Sequence, residues 1–206
     1  MLTTRAYILG KSRFCDLDFV VNEAVLVPRF ETEILVKEAL DLGKKSILDL
    51  CTGSGCIGVA LAKQGIDVTA SDISTAALTV ARTNAMINAV NINIVQSDLF
   101  ENIKGKFDVI VSNPPYIKTS EIGIADPQTL KEPRIALDGG KDGLEFYRRI
   151  AKDAQNFLNA GGVLLMEIGW DQANDIRDLL ESNNWGNIEF VKDHNGYLRV
   201  VKCTKN

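Results

Sequence analysis

Histidine is nearly missing from this chain: His194 is the only one among 206 residues. That leaves little from which to build a histidine-ligated metal site or a Ser-His-Asp triad. Cysteine is scarce too. The four present, Cys15, Cys51, Cys56 and Cys203, make no C-x-x-C pair and no Cys/His cluster, a pattern that fits reduced thiols in a cytosol. No apolar stretch approaches the roughly 20 residues that span a bilayer. The opening residues, MLTTRAYILGKSRF, lack a continuous apolar segment followed by a cleavage site, so no signal peptide is read there. A cytoplasmic protein that does not meet a membrane is expected. An excess of basic charge is also lacking, with 23 Lys and Arg against 27 Asp and Glu. The densest basic pairs are only Lys44-Lys45 and Arg148-Arg149. Proteins that live on nucleic acid usually carry a basic face, so no direct nucleic-acid partner is expected.

What is present reads as a single globular unit. Hydrophobic residues make up 46% and charged residues 24%, enough for a sizeable core without disulfide staples. From Arg13 to Val27, short β-prone runs are broken at Asn22-Glu23, which predicts a hairpin. Pro28 leads into a helical pattern, EILVKEALDLG, that stops at Gly43. Strands and helices then alternate. Strands are predicted at Ser46–Leu50, Val68–Ala70, Ile92–Val95, Phe107–Val111 and Val163–Ile168. Helices are predicted at Cys56–Lys63, Ser74–Ala89, Gly143–Leu158 (closed by Gly161-Gly162) and Asp171–Ser182. Two strand-like runs, Ile188–Val191 and Tyr197–Cys203, end the chain and must pair antiparallel. Such alternation means an open, mostly parallel α/β sheet.

The first sheet strand runs into Asp49-Leu50-Cys51-Thr52-Gly53-Ser54-Gly55-Cys56-Ile57-Gly58. Gly53, Gly55 and Gly58 satisfy G-x-G-x-x-G, and Asp72 follows about 20 residues on at the end of the next strand, as in nucleoside-binding loops. Asp72 has the chemistry to accept both hydroxyls of a ribose. Two cofactors share this logic. A nicotinamide dinucleotide would set its pyrophosphate on the helix N-terminus. S-adenosylmethionine has no phosphate, and the carboxylate of Asp49 would attract its ammonium group. A second acidic point, Asp98 in QSDLF, is suited to an adenine amino group with Leu99 packed on the ring, and equally to a turn aspartate.

Asn113-Pro114-Pro115-Tyr116 directly follows the FDVIV strand. Two prolines remove two N–H donors and block helix, and Pro114 holds Asn113 out of the helical region. The product is a stiff loop at the carboxyl edge of the sheet, where open α/β sheets bind ligands. Its residues suit a planar amide or exocyclic amine, whose nitrogen lone pair is delocalised. The Asn113 side-chain oxygen can accept one N–H and the Pro114 carbonyl the other. Tyr116 offers a flat face for stacking. A sulfonium methyl donor is already activated, which suits a chain with one histidine and no metal-ligand cluster.

These residues carry a resemblance. Over nearly its whole length the chain resembles the release-factor glutamine methyltransferases, the HemK family, through YILGKSRFCDLDFVVNEAVLVPRFETE, ILDLCTGSGCIGVALA, SDIS, SDLF, NPPYI, EPRIALDGGKDGLEFYRRI and LLMEIG. The resemblance implies a class I methyltransferase, Rossmann-like α/β fold. Its seven-stranded sheet would be mostly parallel with an antiparallel terminal strand, preceded by an N-terminal β-hairpin. Residues 1–30 would form the hairpin and a substrate-side loop, and residues 31–206 the catalytic domain. It implies methyl transfer from S-adenosylmethionine to the side-chain amide nitrogen (N5) of a glutamine in the Gly-Gly-Gln loop of a peptide-chain release factor. By position, Cys51, Thr52, Gly53, Ser54 and Gly55 would hold the methionine part of the donor, Asp72 the ribose, and Asp98 and Leu99 the adenine. Asn113, Pro114, Pro115 and Tyr116 would hold the glutamine amide, with Arg29 in the loop that closes over the site. Cys51 stands where the family commonly has glycine, and Phe30 replaces a common proline. The family usually carries a small helical N-terminal domain. Here the catalytic pattern starts almost at Met1, as expected of a truncated or naturally short relative.

Three other readings remain open on the residues alone. A DNA or RNA adenine methyltransferase shares the Asn-Pro-Pro-Tyr loop. A nicotinamide-dependent oxidoreductase shares the glycine loop and Asp72. A methyltransferase-like fold can also serve as a binding module without catalysis.

Overall fold

The computed structural model describes residues 2–124 and 130–206. The chain opens with helix α1 (Leu2–Leu9), then strands β1 (Lys11–Phe14) and β2 (Leu17–Val20), which pair antiparallel as a hairpin. The turn is not at Asn22-Glu23 as the sequence suggested, but at Cys15-Asp16, where φ is 46° and 60°. Two successive left-handed residues are what a tight two-residue hairpin needs. Cysteine is a poor signal for it, and a tertiary contact holds the tip: Cys15 N–H donates to Glu33 Oε1 at 2.8 Å. Asn22 instead caps a later turn, accepting from Ala24 N–H at 2.9 Å.

Helix α2 (Glu33–Asp41) leads into the main sheet, built from β3 (Ser46–Leu50), β4 (Asp67–Asp72), β5 (Asn93–Gln96), β6 (Phe107–Ser112), β7 (Leu158–Glu167), β8 (Trp185–Lys192) and β9 (Leu198–Lys205). Between them lie α3 (Cys56–Lys63), α4 (Thr75–Ile87), α5 (Glu145–Asp153) and α6 (Ala173–Ser182). The strand order is β5-β4-β3-β6-β7-β9-β8. Strands β5 to β7 in that order are parallel, while β9 lies antiparallel between β7 and β8. The last strand in sequence is therefore an insertion next to the edge.

The period-2 alternation of side chains divides the core into two layers. Leu48, Leu50, Ile110, Leu164 and Met166 face α5 and α6 with Tyr147, Ile150 and Ile176. Ile47, Val109, Val111 and Leu165 face α2 and α3 with Leu35, Val36, Ile57 and Leu61. Both faces are covered, so these strands read as continuous apolar runs.

One predicted helix is shorter than expected. Helix α5 stops at Asp153, continues as a 3-10 turn over Ala154–Phe157, and gives way to a strand at Leu158. Gly161 and Gly162 lie inside β7, where the pairing with β6 shifts register between Phe107 and Val109. The glycines accommodate a bulge there and do not cap a helix.

The hairpin is tied down by buried amides of α4 and its C-cap: Asn88 Nδ2 donates to Asp18 O at 3.0 Å, and Asn84 makes three bonds. Asn84 Oδ1 accepts from Val20 N–H at 2.7 Å, and its Nδ2 donates to the carbonyls of Val20 (3.0 Å) and Ser54 (2.8 Å). Asn84 therefore links the hairpin to the glycine loop. Replacing it with leucine strands these backbone groups in the interior, where each unpaired group costs about 1–3 kcal/mol. Urea unfolding of Asn84→Leu is expected to show a stability loss of at least ~3 kcal/mol. A loss below ~1 kcal/mol would mean the groups find other partners.

Candidate active site

The strand order reverses direction between β3 and β6, and in open α/β sheets that switch point leaves a crevice at the carboxyl ends of the strands. Here it holds a cavity lined by the loops that follow β3 and β6 and by the end of β4. Ten of the residues expected from the sequence line it: Arg29, Cys51, Thr52, Gly53, Ser54, Asp72, Asp98, Leu99, Asn113 and Pro115. Three do not. Gly55 and Pro114 lie outside the lining. Tyr116 turns its ring toward the core formed with α5 and α6, and its hydroxyl donates to Glu167 Oε1 at 3.4 Å.

The glycine loop is held from below and from the side. Asp49, fully buried at the end of β3, accepts from Thr52 Oγ1 at 2.6 Å and from Gly58 N–H at 2.9 Å, both on Oδ2. Its Oδ1 is buried without a partner among the described residues. Burial pushes this carboxyl from its usual 3.8 up to about 7, against the two hydrogen bonds, which lower it. Asp72 is half-buried at the end of β4. Its Oδ2 accepts from Gly53 N–H and its Oδ1 from Ser74 N–H, each at 2.9 Å. Each carboxylate oxygen has a second acceptor site, so Asp72 ties the loop to β4 and keeps capacity for two further donors. Burial again raises this carboxyl, with the backbone N–H groups opposing. Cys51 has φ 57°, a left-handed conformation that favours glycine. Gly55, at φ 80°, sits so close to α4 that a Cβ would lie 3.0 Å from Ala81 Cβ.

At the far side of the cavity, Asp98 accepts from Arg149 Nη2 at 2.7 Å, a partner on α5 that the sequence did not reveal. Leu99 adopts φ 47° and is nearly buried. Ile73, Ile135 and Phe146 also face the cavity.

The roof comes from two distant segments that meet at one carboxylate. Glu132 accepts from Val27 N–H at 3.2 Å and from Arg29 Nη2 at 2.6 Å, and its side chain is fully buried. Tyr7 on α1 donates to Val25 O at 2.7 Å. The VPRFETE and EPRIALDGG segments are thus two halves of one rim.

The Asn-Pro-Pro-Tyr loop is braced from behind. Ile117 N–H donates to Leu137 O at 2.9 Å and Gly139 N–H to Ile117 O at 2.8 Å. Gln172 Nε2 donates to the carbonyls of Tyr116 (3.1 Å) and Gly143 (3.2 Å), and its Oε1 accepts from Gly169 N–H at 3.0 Å. Below the loop, Glu167 at the end of β7 accepts from Thr32 Oγ1 at 2.6 Å, and Thr32 Oγ1 accepts from Asn113 Nδ2 at 3.3 Å. Burial raises the Glu167 carboxyl, while the Thr32 bond and the Arg199 charge lower it. The sequence reading missed Thr32, Glu132, Glu167 and Gln172. All four lie in or beside the segments that carry the family resemblance, but nothing in a linear pattern shows that they converge.

The methyltransferase small domain family matches residues 27–132. A release factor glutamine methyltransferase of Geobacter sulfurreducens is 43% identical over 201 residues, which cover 95% of this chain and 71% of that one. One from Clostridium acetobutylicum is 43% identical over 211 residues, covering 97% and 74%. The chain belongs to the release factor glutamine methyltransferase family. Among solved structures, a methyltransferase from Pyrococcus furiosus superposes over 100% of both chains with a TM-score of 0.73 at 22% identity. The sheet and its β3/β6 crevice are those of a class I methyltransferase.

Two expectations follow for this enzyme. A Cβ on Gly139 would lie 2.7 Å from Tyr116 Cα and 2.9 Å from Pro115 O, so Gly139→Ala must push the Asn-Pro-Pro-Tyr loop. A displacement near 1 Å costs on the order of 100-fold in rate. Gly139→Ala should therefore lose about that much methyl transfer while remaining folded by circular dichroism, and activity within a few-fold of the parent would show that the loop is not under this constraint. The second concerns Asp49. Its folded-state value, about 7, lies above the usual 3.8, so the folded protein binds the proton more tightly than the unfolded one. The stability this contributes is fully present below pH ~4 and is lost as pH rises through about 7. Each tenfold difference in proton affinity between the folded and unfolded chain is worth about 1.4 kcal/mol. Relative to Asp49→Asn, the parent should therefore lose a few kcal/mol between roughly pH 4.5 and pH 8 in urea titrations. A flat difference across that range would contradict it.

Proposed function

We propose that this cavity binds S-adenosylmethionine and that the enzyme transfers its methyl group to the side-chain amide nitrogen (N5) of a glutamine, in the Gly-Gly-Gln loop of a peptide-chain release factor. One observation carries the reading: Asn113 and Pro115 share a single cavity with the glycine loop and Asp72. An amide-accepting loop and a nucleoside-holding loop thus face the same space. The names of the relatives supply the glutamine and the release factor.

The residues present fit the methyl donor. The partnerless Oδ1 of buried Asp49 leaves acceptor capacity under Thr52, suited to an ammonium group. Asp72 would take the ribose hydroxyls, Cys51 to Gly55 would line the methionine part, and Ile73 and Leu99 would flank the adenine. Asp98, already held by Arg149, would face the adenine amino group. When bound, such a donor supplies an electrophilic sulfonium methyl, so the protein need not provide a metal or a strong base.

The chain's own work is then positioning. Asn113 Oδ1 accepts one N–H group of the substrate amide from within the cavity, and the Pro114 carbonyl, next in the chain and behind the lining, is assigned the other. Pro114 and Pro115 stiffen the loop so that these acceptors cost little reorganisation in the transition state. Tyr116 acts through its place in the loop, with its hydroxyl on Glu167. Arg29, clamped to Glu132, would help exclude water from the rim. In this reading residues 1–30 form the substrate-side rim and residues 31–206 the methyl-transfer domain. Four unpaired cysteines suit the reducing cytosol in which release factors work, and no nucleic acid is required.

The reading is tested by single-turnover transfer of labelled methyl to a release factor, with Gln→Ala in its Gly-Gly-Gln loop as control. Asn113→Ala should lower turnover by about 10²–10³ with little change in donor affinity. Asp72→Ala, which removes charge-assisted bonds of roughly 1.5–3 kcal/mol each, should weaken donor binding at least tenfold in calorimetry. Labelling that survives the Gln→Ala control, or an Asn113→Ala enzyme within a few-fold of the parent, would sink it.

A further inference from the structure

We infer that Thr32 and Glu167 are positioning residues whose hydrogen-bond polarity fixes which end of the Asn113 amide faces the substrate. This rests on the amide-methylating reading above. An asparagine amide has an acceptor end and a donor end of almost the same shape, and only the oxygen can hold a substrate N–H. Presenting the NH₂ instead would set two donors against each other.

The polarity is set by a short directional chain. Glu167 ends β7 and is almost fully buried. Two hydroxyls converge on it: Thr32 Oγ1 donates to Oε2 at 2.6 Å, and Tyr116 donates to Oε1 at 3.4 Å. A threonine hydroxyl has one proton. With that proton committed to the carboxylate, Thr32 has only lone pairs left to offer Asn113. The amide end that meets Thr32 must therefore be the NH₂, and Nδ2 stands 3.3 Å from Thr32 Oγ1. Oδ1 is turned away from Thr32, and Asn113 lines the cavity. Thr32 is itself buried and part of that wall, so water has little room to take over its role. The same carboxylate thus holds both ends of the Asn113–Tyr116 tetrapeptide, one through Thr32 and one directly.

Thr32→Val removes the hydroxyl with little change of shape. Its expected cost is roughly tenfold to a hundredfold in single-turnover methyl transfer, with unchanged donor affinity. Thr32→Ser, which restores the hydroxyl, should recover most of it. The loss should vanish when Asn113 is already alanine, because the hydroxyl acts only through that amide. An equal Thr32→Val loss in both backgrounds, or no loss in the parent, overturns the inference. A second readout needs no substrate. In ¹⁵N-labelled protein the Asn113 NH₂ resonances, identified by their disappearance in Asn113→Asp, should exchange slowly with solvent in the parent. They should exchange much faster in Thr32→Val and in Glu167→Leu, both checked for folding by circular dichroism. Slow exchange retained in both variants refutes the relay, whatever the enzyme methylates. Failure of the parent to label any glutamine refutes the substrate reading instead.

Discussion

Strands β3 and β6 lie side by side at the centre of the sheet, and the chain leaves their carboxyl ends toward opposite faces. Helix α3 follows β3 onto one layer, and the path after β6 reaches α5 on the other. Nothing can fill the gap between those departures without blocking one of them, so a crevice is forced by topology. Each remaining feature of the site is a way of lining that gap. The loop after β3 contributes Cys51 to Ser54, the end of β4 contributes Asp72, and the loop after β6 contributes Asn113 and Pro115. Sheet registry then fixes their relative heights, since Leu50 pairs with both Ser71 and Ser112.

Loops so placed would wander if only their own turns held them. Here each is fixed by a side chain from another part of the chain. Asn84 on α4 fixes the hairpin against the glycine loop, Glu132 fixes the rim, and Gln172 fixes the carbonyl of Tyr116. Amides and carboxylates suit this task because they satisfy several backbone groups at once, and an unsatisfied buried backbone group is costly. Family-specific segments such as EPRIALDGG follow from this arrangement. Gly139 has no room for a Cβ against Tyr116, and Glu132 has to reach Val27 and Arg29 across the cavity mouth.

The sheet was largely legible in the sequence because its strands are buried on both faces and its helices carry clean stop signals at Gly43 and Gly65. That the glycine loop, Asp72 and Asn113 would share one cavity was legible because the motifs carrying them depend on local spacing at strand ends. What escaped depends on long-range convergence. The Cys15-Asp16 turn carries no glycine or asparagine to announce it, since Glu33 holds the tip from α2. Asp98 gave no hint of Arg149, 51 positions away. Tyr116 read as a stacking face, yet its hydroxyl is engaged by Glu167, a residue that looks in sequence like a polar interruption of an apolar strand.

Two buried carboxylates on the same side of the sheet show how such interruptions are used. Asp49, one residue before the end of β3, lies beneath the glycine loop, and Glu167 ends β7 beneath the Asn-Pro-Pro-Tyr loop. Among the described residues, neither forms a buried ion pair at hydrogen-bond distance. Both take hydroxyl protons, Asp49 from Thr52 and Glu167 from Thr32 and Tyr116. Desolvation makes each carboxylate costly to hold, and both are accordingly raised above the ordinary carboxylate range. Apolar residues of similar size would pack at lower cost, but a hydrocarbon cannot tell a hydroxyl which way to point. An ionised carboxylate can, because in that form it only accepts. At the strand ends that frame the crevice, a loss of stability is exchanged for fixed hydrogen-bond polarity, on one side for the glycine loop and on the other for the Asn113 amide.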